Sequence, residues 1–401
     1  MIKRILYIQY TNPAGYPPLQ NSSRILADAG WSVLFLGTGA AGAGSLKFPS
    51  HPGIIVRRIP FCSPGWRQKV HYVKFCLWVL WTALVWRPRW IYASDHFSCP
   101  AAALLTFIPG MRVLYHEHDT PPVPAGNAIS RWIARARGFV ARRADLCVLP
   151  NAQRLYRFAK DAGPLRNSAC VWNCPGLDEI PAAAASLSQG PLWLLYHGTI
   201  VPDRLPPTVL DSLALLPDNV NLRVVGYETA GAPGYVAELR RKAESLGLGD
   251  RIEFLNPVSR KDLFAITLRS SIGLALIPQR SNNENFQAMT GASNKVFDYL
   301  ACGLPVIVSS IPEWIEMFVW PGYGIACNPA GPESLAAAIR ELISDPGRLR
   351  QAGERGRQRI LAEWNYETMF RPVLHRISGP VCAVAASSPG HAQTAAEPLP
   401  K

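Results

Sequence analysis

Apolar residues along this chain come in short blocks separated by segments of helical spacing. Ile5 to Tyr10 and Trp31 to Leu36 are compact runs of strand length. Between them, Gly15 to Gln20 contains prolines and reads as a loop, and Ser22 to Ala29 reads as a helix stopped by Gly30. Trp90 to Ala93, Arg112 to His116 and Leu146 to Pro150 are further strand blocks, and Ile129 to Ala144 is a basic helix. Near-continuous apolar strands alternating with helices predict a parallel sheet covered on both faces. The pattern pauses at Pro181 to Gly190, an Ala- and Ser-rich linker, and then restarts. Leu192 to Tyr196, Leu222 to Val225, Ile252 to Phe254, Ile272 to Ile277 and Pro305 to Val308 predict strands. Tyr235 to Leu246 and Lys295 to Ala301 are helices among them. Two α/β halves thus stand in tandem, and doubly wound sheets bind ligands beyond the carboxyl ends of their strands. Pro380 to Lys401, rich in Ala, Ser and Pro, reads as a disordered tail.

Composition narrows the classes. The chain has 401 residues, of which 48% are hydrophobic, which excludes wholesale disorder. Lys and Arg total 41 against 28 Asp and Glu, a net +13 that favours phosphates, nucleic acid or anionic lipid as partners. No zinc-finger spacing, RNP-type motif or dimeric basic helix is present, so nucleic acid is set aside. The nine cysteines are odd in number and form no CxxC pair, which argues for buried thiols in a reducing compartment. The apolar run after Lys3 and Arg4 is too short for a signal peptide, and a cytoplasmic location is expected. Phe75 to Trp86 is the longest apolar stretch, short of the ~20 residues that span a bilayer. Arg67, Lys69, Lys74, Arg87 and Arg89 flank it, and it holds Trp78, Trp81 and Trp86. It is either an ordinary core helix or a helix lying at a membrane interface.

Two segments carry candidate chemistry. Ser293-Asn294-Lys295-Val296-Phe297-Asp298 begins a helix that Gly303 ends, followed by a buried strand. Ser293 or Asn294 can cap it. A helix start beside Lys295 suits a pyrophosphate, because amides and dipole both favour anions there. Asp298, one turn on, can accept hydrogen bonds from ribose hydroxyls; alternatively it sits on a solvated face. In the first half, Tyr115-His116-Glu117-His118-Asp119 follows a strand and places two histidines beside two carboxylates. Acid–base chemistry or a metal site could use such a cluster, but no His-Glu-x-x-His helix accompanies it, and no metal is expected. Alternation along an extended segment turns Glu117 away from His118. Asp95-His96 is a similar, weaker pair.

The helix segment resembles the donor-site helix of the large retaining glycosyltransferase family four, of GT-B fold. Members of one branch read Pro-Asn-Lys-hydrophobic-Phe-Glu-Tyr-hydrophobic-Ala-x-Gly-x-Pro-Val; here Ser293 replaces the Pro and Asp298 the Glu. Tyr196-His197-Gly198-Thr199 resembles the family's glycine loop, in which Arg directly follows the Gly and Lys comes five residues later. Thr199 and Arg204 occupy those positions. Val225-Gly226-Tyr227 resembles the next glycine turn, Asn12 to Tyr16 the first glycine loop, and Trp364-Asn365 the start of the helix that crosses back to the first domain. The family often carries two glutamates eight residues apart; the first falls on Thr290, and Glu284 is the nearest acid upstream.

The resemblance covers about residues 1 to 377. It implies a GT-B architecture: two Rossmann-like, doubly wound α/β domains facing a cleft, an acceptor-side domain over 1–185 with part of the crossover helix 364–377, and a donor domain over 190–363. It implies donor binding by Gly15, Gly198, Arg204, Gly226, Asn294, Lys295 and Asp298, with Glu284 as a sugar contact. His118 and Asp119 match the family's catalytic pair near the transferred sugar. The expected activity is hexosyl transfer of EC 2.4 type, with retention, from a nucleotide-diphosphate sugar as donor substrate, without metal or other cofactor. The acceptor would be a saccharide or lipid-linked saccharide, in polysaccharide biosynthesis. An anionic membrane surface is the further partner, with the protein peripheral at the inner face. A nucleotide-sugar 2-epimerase and an inactive nucleotide-binding scaffold are the alternatives within the fold.

Overall fold

The computed structural model describes residues 3–41, 44–121, 128–185, 190–229 and 231–379. The tail expected from Pro380 lies outside the described residues, as do residues 186–189 of the linker. The first lobe is a seven-stranded parallel sheet of β1 (Arg4–Gln9), β2 (Ser32–Thr38), β3 (Ile54–Ile59), β4 (Trp90–Ser94), β5 (Arg112–His116), β6 (Leu146–Leu149) and β7 (Ser168–Cys170). Its spatial order is β3-β2-β1-β4-β5-β6-β7. The second lobe holds β8 (Leu192–Thr199), β9 (Val220–Tyr227), β10 (Ile252–Leu255), β11 (Ile272–Ala275), β12 (Val306–Ser309) and β13 (Gly324–Cys327), ordered β10-β9-β8-β11-β12-β13 and likewise parallel. Strand order reverses at β1/β4 and at β8/β11, so each lobe has a crevice at the carboxyl end of its sheet.

The tandem α/β reading holds, with three strands added. β3 alternates half-buried with exposed positions and carries Arg57 and Arg58, so it makes no apolar block. β7 spans three residues and β13 four, with partly exposed middles. The first helix runs Pro17–Asp28, earlier than expected. The prolines taken as a loop signal occupy its first turn, where their missing N–H groups would have been unpaired anyway.

The chain crosses between lobes near its end. Asn365 caps the Tyr366–Ser378 helix by accepting from Thr368 N at 3.0 Å. That helix packs Tyr366, Phe370, Val373 and Ile377 against Ile5, Tyr7, Trp31 and Val33 of the first lobe. One residue before the cap, Trp364 packs instead with Phe297 and Phe318 of the second.

The Trp-rich helix, Trp66–Trp86, buries one face and exposes the other. Tyr72, Phe75, Cys76, Val79, Thr82 and Ala83 face the core, while Trp66, Val70, Val73, Leu77, Trp81 and Leu84 are exposed. Among the described residues no helix is long and apolar enough to cross a membrane.

Two glycines in helices test the packing. A Cβ at Gly353 would fall 1.8 Å from the Gly303 carbonyl oxygen, whereas at Gly138 the nearest atom would be 3.7 Å away. Gly353→Ala is expected to lose about 2 kcal/mol through overpacking. Gly138→Ala is expected to gain about 0.5 kcal/mol through helix propensity. Urea unfolding midpoints check both signs.

Candidate active site

A cleft of about 1070 Å³ separates the lobes at the carboxyl ends of both sheets. The Asn294–Ala301 helix opens into it, since Ala292, Ser293, Asn294 and Lys295 all line the cleft. Ser293 has the extended backbone of a capping residue but makes no capping bond, and the Asn294 amide donates to Asp298 Oδ2 at 3.0 Å instead. The expected cap is therefore absent, and the first-turn amides face the cleft without a protein acceptor from that side chain.

Lys295 is buried, with its ammonium 5.6 Å from the Tyr196 ring centre. It passes over the end of β8, where Gly198 has φ +114°; a Cβ there would lie 2.9 Å from Lys295 Nζ. On the adjoining strand, a Cβ at Gly226 would come 1.8 Å from the Gly198 carbonyl oxygen. Each of these glycines makes room for the next element, and both line the cleft. Burial pulls the Lys295 pKa down to about 7, and the Arg204 charge adds to the effect, against opposition from Asp298 and Asp119. Arg204 follows the β8 turn and lines the cleft, its guanidinium 5.7 Å from the Phe286 ring centre. Among the described residues its guanidinium has no hydrogen-bond or ion-pair partner. Lys295 at the helix start and Arg204 after β8 thus bring two cations to one cleft, and among the described residues neither has an ion-pair partner; such a pair is suited to a polyanion.

Asp298 stands differently from the expectation. It is buried and is not part of the cleft wall. Its oxygens accept from Arg260 at 2.7 and 2.9 Å, and Arg260 lines the cleft in its place. Aspartate is one methylene shorter than the family's glutamate, and the bidentate arginine holds it back. Arg260 also donates to Glu179 at 2.8 and 3.2 Å. Burial works against its charge, but Asp298 and Glu179 outweigh that and hold it charged.

From the first lobe come Gly15, which closes a short turn at the wall, and the His118 cluster. The His118 amide donates to Asp95 Oδ1 at 2.9 Å, and His118 Nε2 lies 3.1 Å from Ser94 Oγ. Its Nδ1 is buried and, among the described residues, has no hydrogen-bond partner. Burial lowers its pKa to about 4, so the ring is neutral at neutral pH. Asp119 is largely exposed on the cleft wall, 3.2 Å from Arg154 Nη1. Glu117 points the other way, as expected, and is held by Arg137 at 2.5 and 2.7 Å and by the Tyr115 hydroxyl at 2.5 Å. Asp95 has φ +58°, a strained backbone for a non-glycine residue. Burial raises its pKa to about 7 and lowers that of His96 to about 4.

Glu284 is corrected. It is exposed and does not line the cleft; its loop instead contributes Asn283, Phe286 and Met289. The loop tip is turned outward because Arg154 and Asn151 fasten its backbone from the first lobe. Arg154 donates to Ala288 O at 3.0 Å, to Asn285 O at 3.0 Å and to His118 O at 2.7 Å. Asn151 Nδ2 donates to Ala288 O at 2.9 Å and Thr290 O at 2.7 Å. Sequence reasoning missed Arg154 and Arg260. Their local signals were the capping residues before them: Asn151 accepts from Arg154 N, and Ser259 accepts from Asp262 N.

Comparison with known proteins agrees with this layout. The family described as "Glycosyl transferases group 1" matches residues 182–359, and "Glycosyl transferase 4-like domain" matches residues 19–164. Among curated relatives, glycogen synthase of Mycobacterium tuberculosis is 24% identical over 295 residues, 71% of this chain and 67% of that protein. The GDP-mannose-dependent alpha-(1-6)-phosphatidylinositol monomannoside mannosyltransferase of the same organism is 25% identical, over 63% of this chain and 65% of its own length. Among solved structures, Anabaena Alr3699/HepE in complex with UDP and glucose superposes with a TM-score of 0.68 at 19% identity, covering 94% of this chain and 99% of that one. Sucrose-phosphate synthase of Thermosynechococcus elongatus gives 0.69 at 16%, covering 92% and 97%.

Replacing Arg154 by Ala strands several buried carbonyls and is expected to cost about 3 kcal/mol. Hydrogen exchange should speed up in residues 283–291 well before global unfolding; unchanged protection there would contradict the fastening role.

Proposed function

Because this chain belongs to the glycosyltransferases of group 1 and family four type, with the GT-B fold, we propose that it moves a sugar from a nucleotide-diphosphate sugar to a saccharide or lipid-linked acceptor. The observation that carries the reading is the helix start at Asn294, uncapped by Ser293 and flanked by Lys295 and an unpartnered Arg204, at the wall of the inter-lobe cleft. The donor diphosphate fits there. As the bond from the anomeric carbon to the diphosphate oxygen breaks, its electron pair goes to the diphosphate. Lys295, Arg204 and the helix amides meet the charge that develops. The acceptor hydroxyl oxygen then bonds to the anomeric carbon, and its proton passes to the departing diphosphate oxygen. The unpartnered Nδ1 of His118 is suited to hold a sugar hydroxyl, and Asp119 stands beside it on the wall. We read Arg260, with Asp298 behind it, as the nucleoside end of the site.

Retention of configuration and turnover without a metal are part of the proposal and rest on the family likeness. The solved complexes of HepE contain UDP, glucose or UDP-glucose, which supports a nucleotide-sugar donor. The names of the Mycobacterium relatives, glycogen synthase and a phosphatidylinositol monomannoside mannosyltransferase, support a saccharide or a lipid-linked acceptor and a role in polysaccharide biosynthesis. We further assign the protein to the inner, anionic face of a membrane as a peripheral cytoplasmic enzyme. The basic Ala128–Arg143 helix and the exposed tryptophans of the Trp66–Trp86 helix support that assignment.

Turnover of a panel of nucleotide sugars tests the activity. Arg204→Ala and Lys295→Ala should each lower kcat/KM about 100-fold, as loss of a transition-state donor does, and His118→Ala should also lower it. Wild-type rates in all three variants would end the reading. Nucleotide binding also has a proton signature. Lys295 has a pKa of about 7 in the free protein, so near neutral pH it is about half charged. A bound diphosphate favours its charged form and restores a higher pKa. Binding should therefore take up about half a proton at neutral pH and more in mild alkali, seen as a binding enthalpy that varies with buffer ionisation heat. A buffer-independent enthalpy would contradict the assignment.

A further inference from the structure

His197, the β8 residue before Gly198, is 3% exposed and yet lines the main cleft. Its backbone N–H donates to the Tyr299 hydroxyl at 3.1 Å. Its ring stands edge to face on Tyr299, with 4.9 Å between ring centres and 72° between planes. Strand β8 and the Asn294–Ala301 helix therefore fix the imidazole from two directions. Among the described residues neither ring nitrogen makes a hydrogen bond. Nε2 is shut away from solvent, 3.5 Å from Asp298 Oδ2. Nδ1, unlike Nε2, keeps access to solvent, and the solvent on that side is the cleft.

Burial holds the ring pKa well below its ordinary value, and the Lys295 and Arg260 charges add to the effect, so the imidazole is neutral. A neutral imidazole carries one proton, and a carboxylate beside one nitrogen draws it there. Asp298 is that carboxylate, which puts the proton on Nε2 and leaves a bare lone pair on Nδ1. Phosphate oxygens are acceptors themselves and gain nothing from a lone pair, whereas a hydroxyl can donate to it. Position along the cleft says which hydroxyl. On one side of His197 lies the seat of Lys295 and Arg204, with Lys295 Nζ directly over Gly198. On the other side Asp298 leads to Arg260, which lines the wall at the nucleoside end. The group of a nucleotide between its diphosphate and its base is the ribose. Asp298 does not meet it, being 1% exposed and outside the cleft wall. Its oxygens already accept twice from Arg260 and once from Asn294.

We propose that His197 Nδ1 accepts a hydrogen bond from a ribose hydroxyl of the donor, with Asp298 behind it as a positioning residue that fixes the tautomer. The ring makes the ribose contact that the shorter acid, held back by Arg260, does not make. This rests on the donor reading of the main cleft and adds to it the residue that tells ribonucleotides from deoxyribonucleotides.

Dissociation constants of the full chain are measured for UDP, 2′-deoxy-UDP and 3′-deoxy-UDP, and for the matching GDP and ADP sets. At least one ribonucleotide should bind, and removal of one of its two hydroxyls should weaken it about tenfold, as loss of a hydrogen bond to a buried acceptor does. In His197→Ala that ratio should fall to about one. In His197→Asn, whose side-chain oxygen can stand where Nδ1 stood, it should stay at about threefold or more. A variant that merely loosens the fold weakens the ribo and deoxy forms alike and leaves the ratio unchanged. Equal affinity for the ribo and both deoxy forms in the wild type overturns the proposal, and so does an unchanged ratio in His197→Ala. The tautomer is read from ¹⁵N shifts of histidine-labelled protein, with the His197 signals identified by their absence in His197→Asn. Nε2 should be protonated and Nδ1 bare; the opposite tautomer also overturns the proposal. Failure here and failure of the donor reading look different. Nucleotide binding that ignores both ribose hydroxyls removes the role of His197 alone, whereas no binding by any of the nucleoside diphosphates removes the donor reading and this proposal with it.

Discussion

A lysine ammonium kept from water, with no carboxylate of its own, is the feature around which the second lobe is arranged. The pKa of Lys295 falls from 10.5 to about 7, which corresponds to roughly 5 kcal/mol against the charged form at ~1.4 kcal/mol per unit. The carboxylates that could relieve it are committed elsewhere, Asp298 to Arg260 and Asp119 to Arg154. Space for the lysine comes from Gly198, and the carbonyl of Gly198 is in turn accommodated by Gly226. Two glycines and a helix start without a side-chain cap thus keep a buried lysine at the cleft wall, where a bound anion would relieve it. Such a site gains most from a ligand bearing two adjacent phosphates, because each added charge relieves both Lys295 and Arg204.

Two arginines, Arg154 buried and Arg260 partly buried at the wall, tie the elements that frame the cleft. Arg154, from the first lobe, ties three backbone carbonyls together, two of them in the loop of the second lobe. Arg260, from the second lobe, joins Asp298 to Glu179, and Glu179 accepts from Asn21 of the first lobe at 3.0 Å. The guanidinium fork serves both roles, since it can satisfy several acceptors at once with little freedom left to lose. The cleft is therefore framed by ion pairs and carbonyl ties on opposite sides, and its floor is the pair of strand-order reversals.

What the sequence displayed depended on how locally each feature is encoded. Ten of the thirteen strands are apolar blocks and could be read directly. β3, β7 and β13 are short or half-exposed and take their strand character from neighbours already in the sheet. Pro17 and Pro18 hide the start of the first helix because prolines look like breakers, although a first turn tolerates them. At the site, Lys295, Gly198, Arg204 and His118 came from motifs at strand and helix ends and do reach the cleft. Asp298 and Glu284 did not reach it, and for the same reason. Their positions depend on Arg260 and Arg154, which lie 38 and 130 residues away in sequence and which no local pattern connects to them.

The central claim is that Lys295, Arg204 and the start of the Asn294–Ala301 helix grip a diphosphate between the lobes. ³¹P NMR of UDP, GDP, ADP and TDP, titrated with the wild-type chain and with Arg204→Ala, addresses it directly. The account requires that both phosphate resonances of at least one nucleotide shift and broaden with the wild type, and that the effect is sharply reduced in the variant. If none of the four responds, or if the variant perturbs them as the wild type does, the diphosphate is not held there.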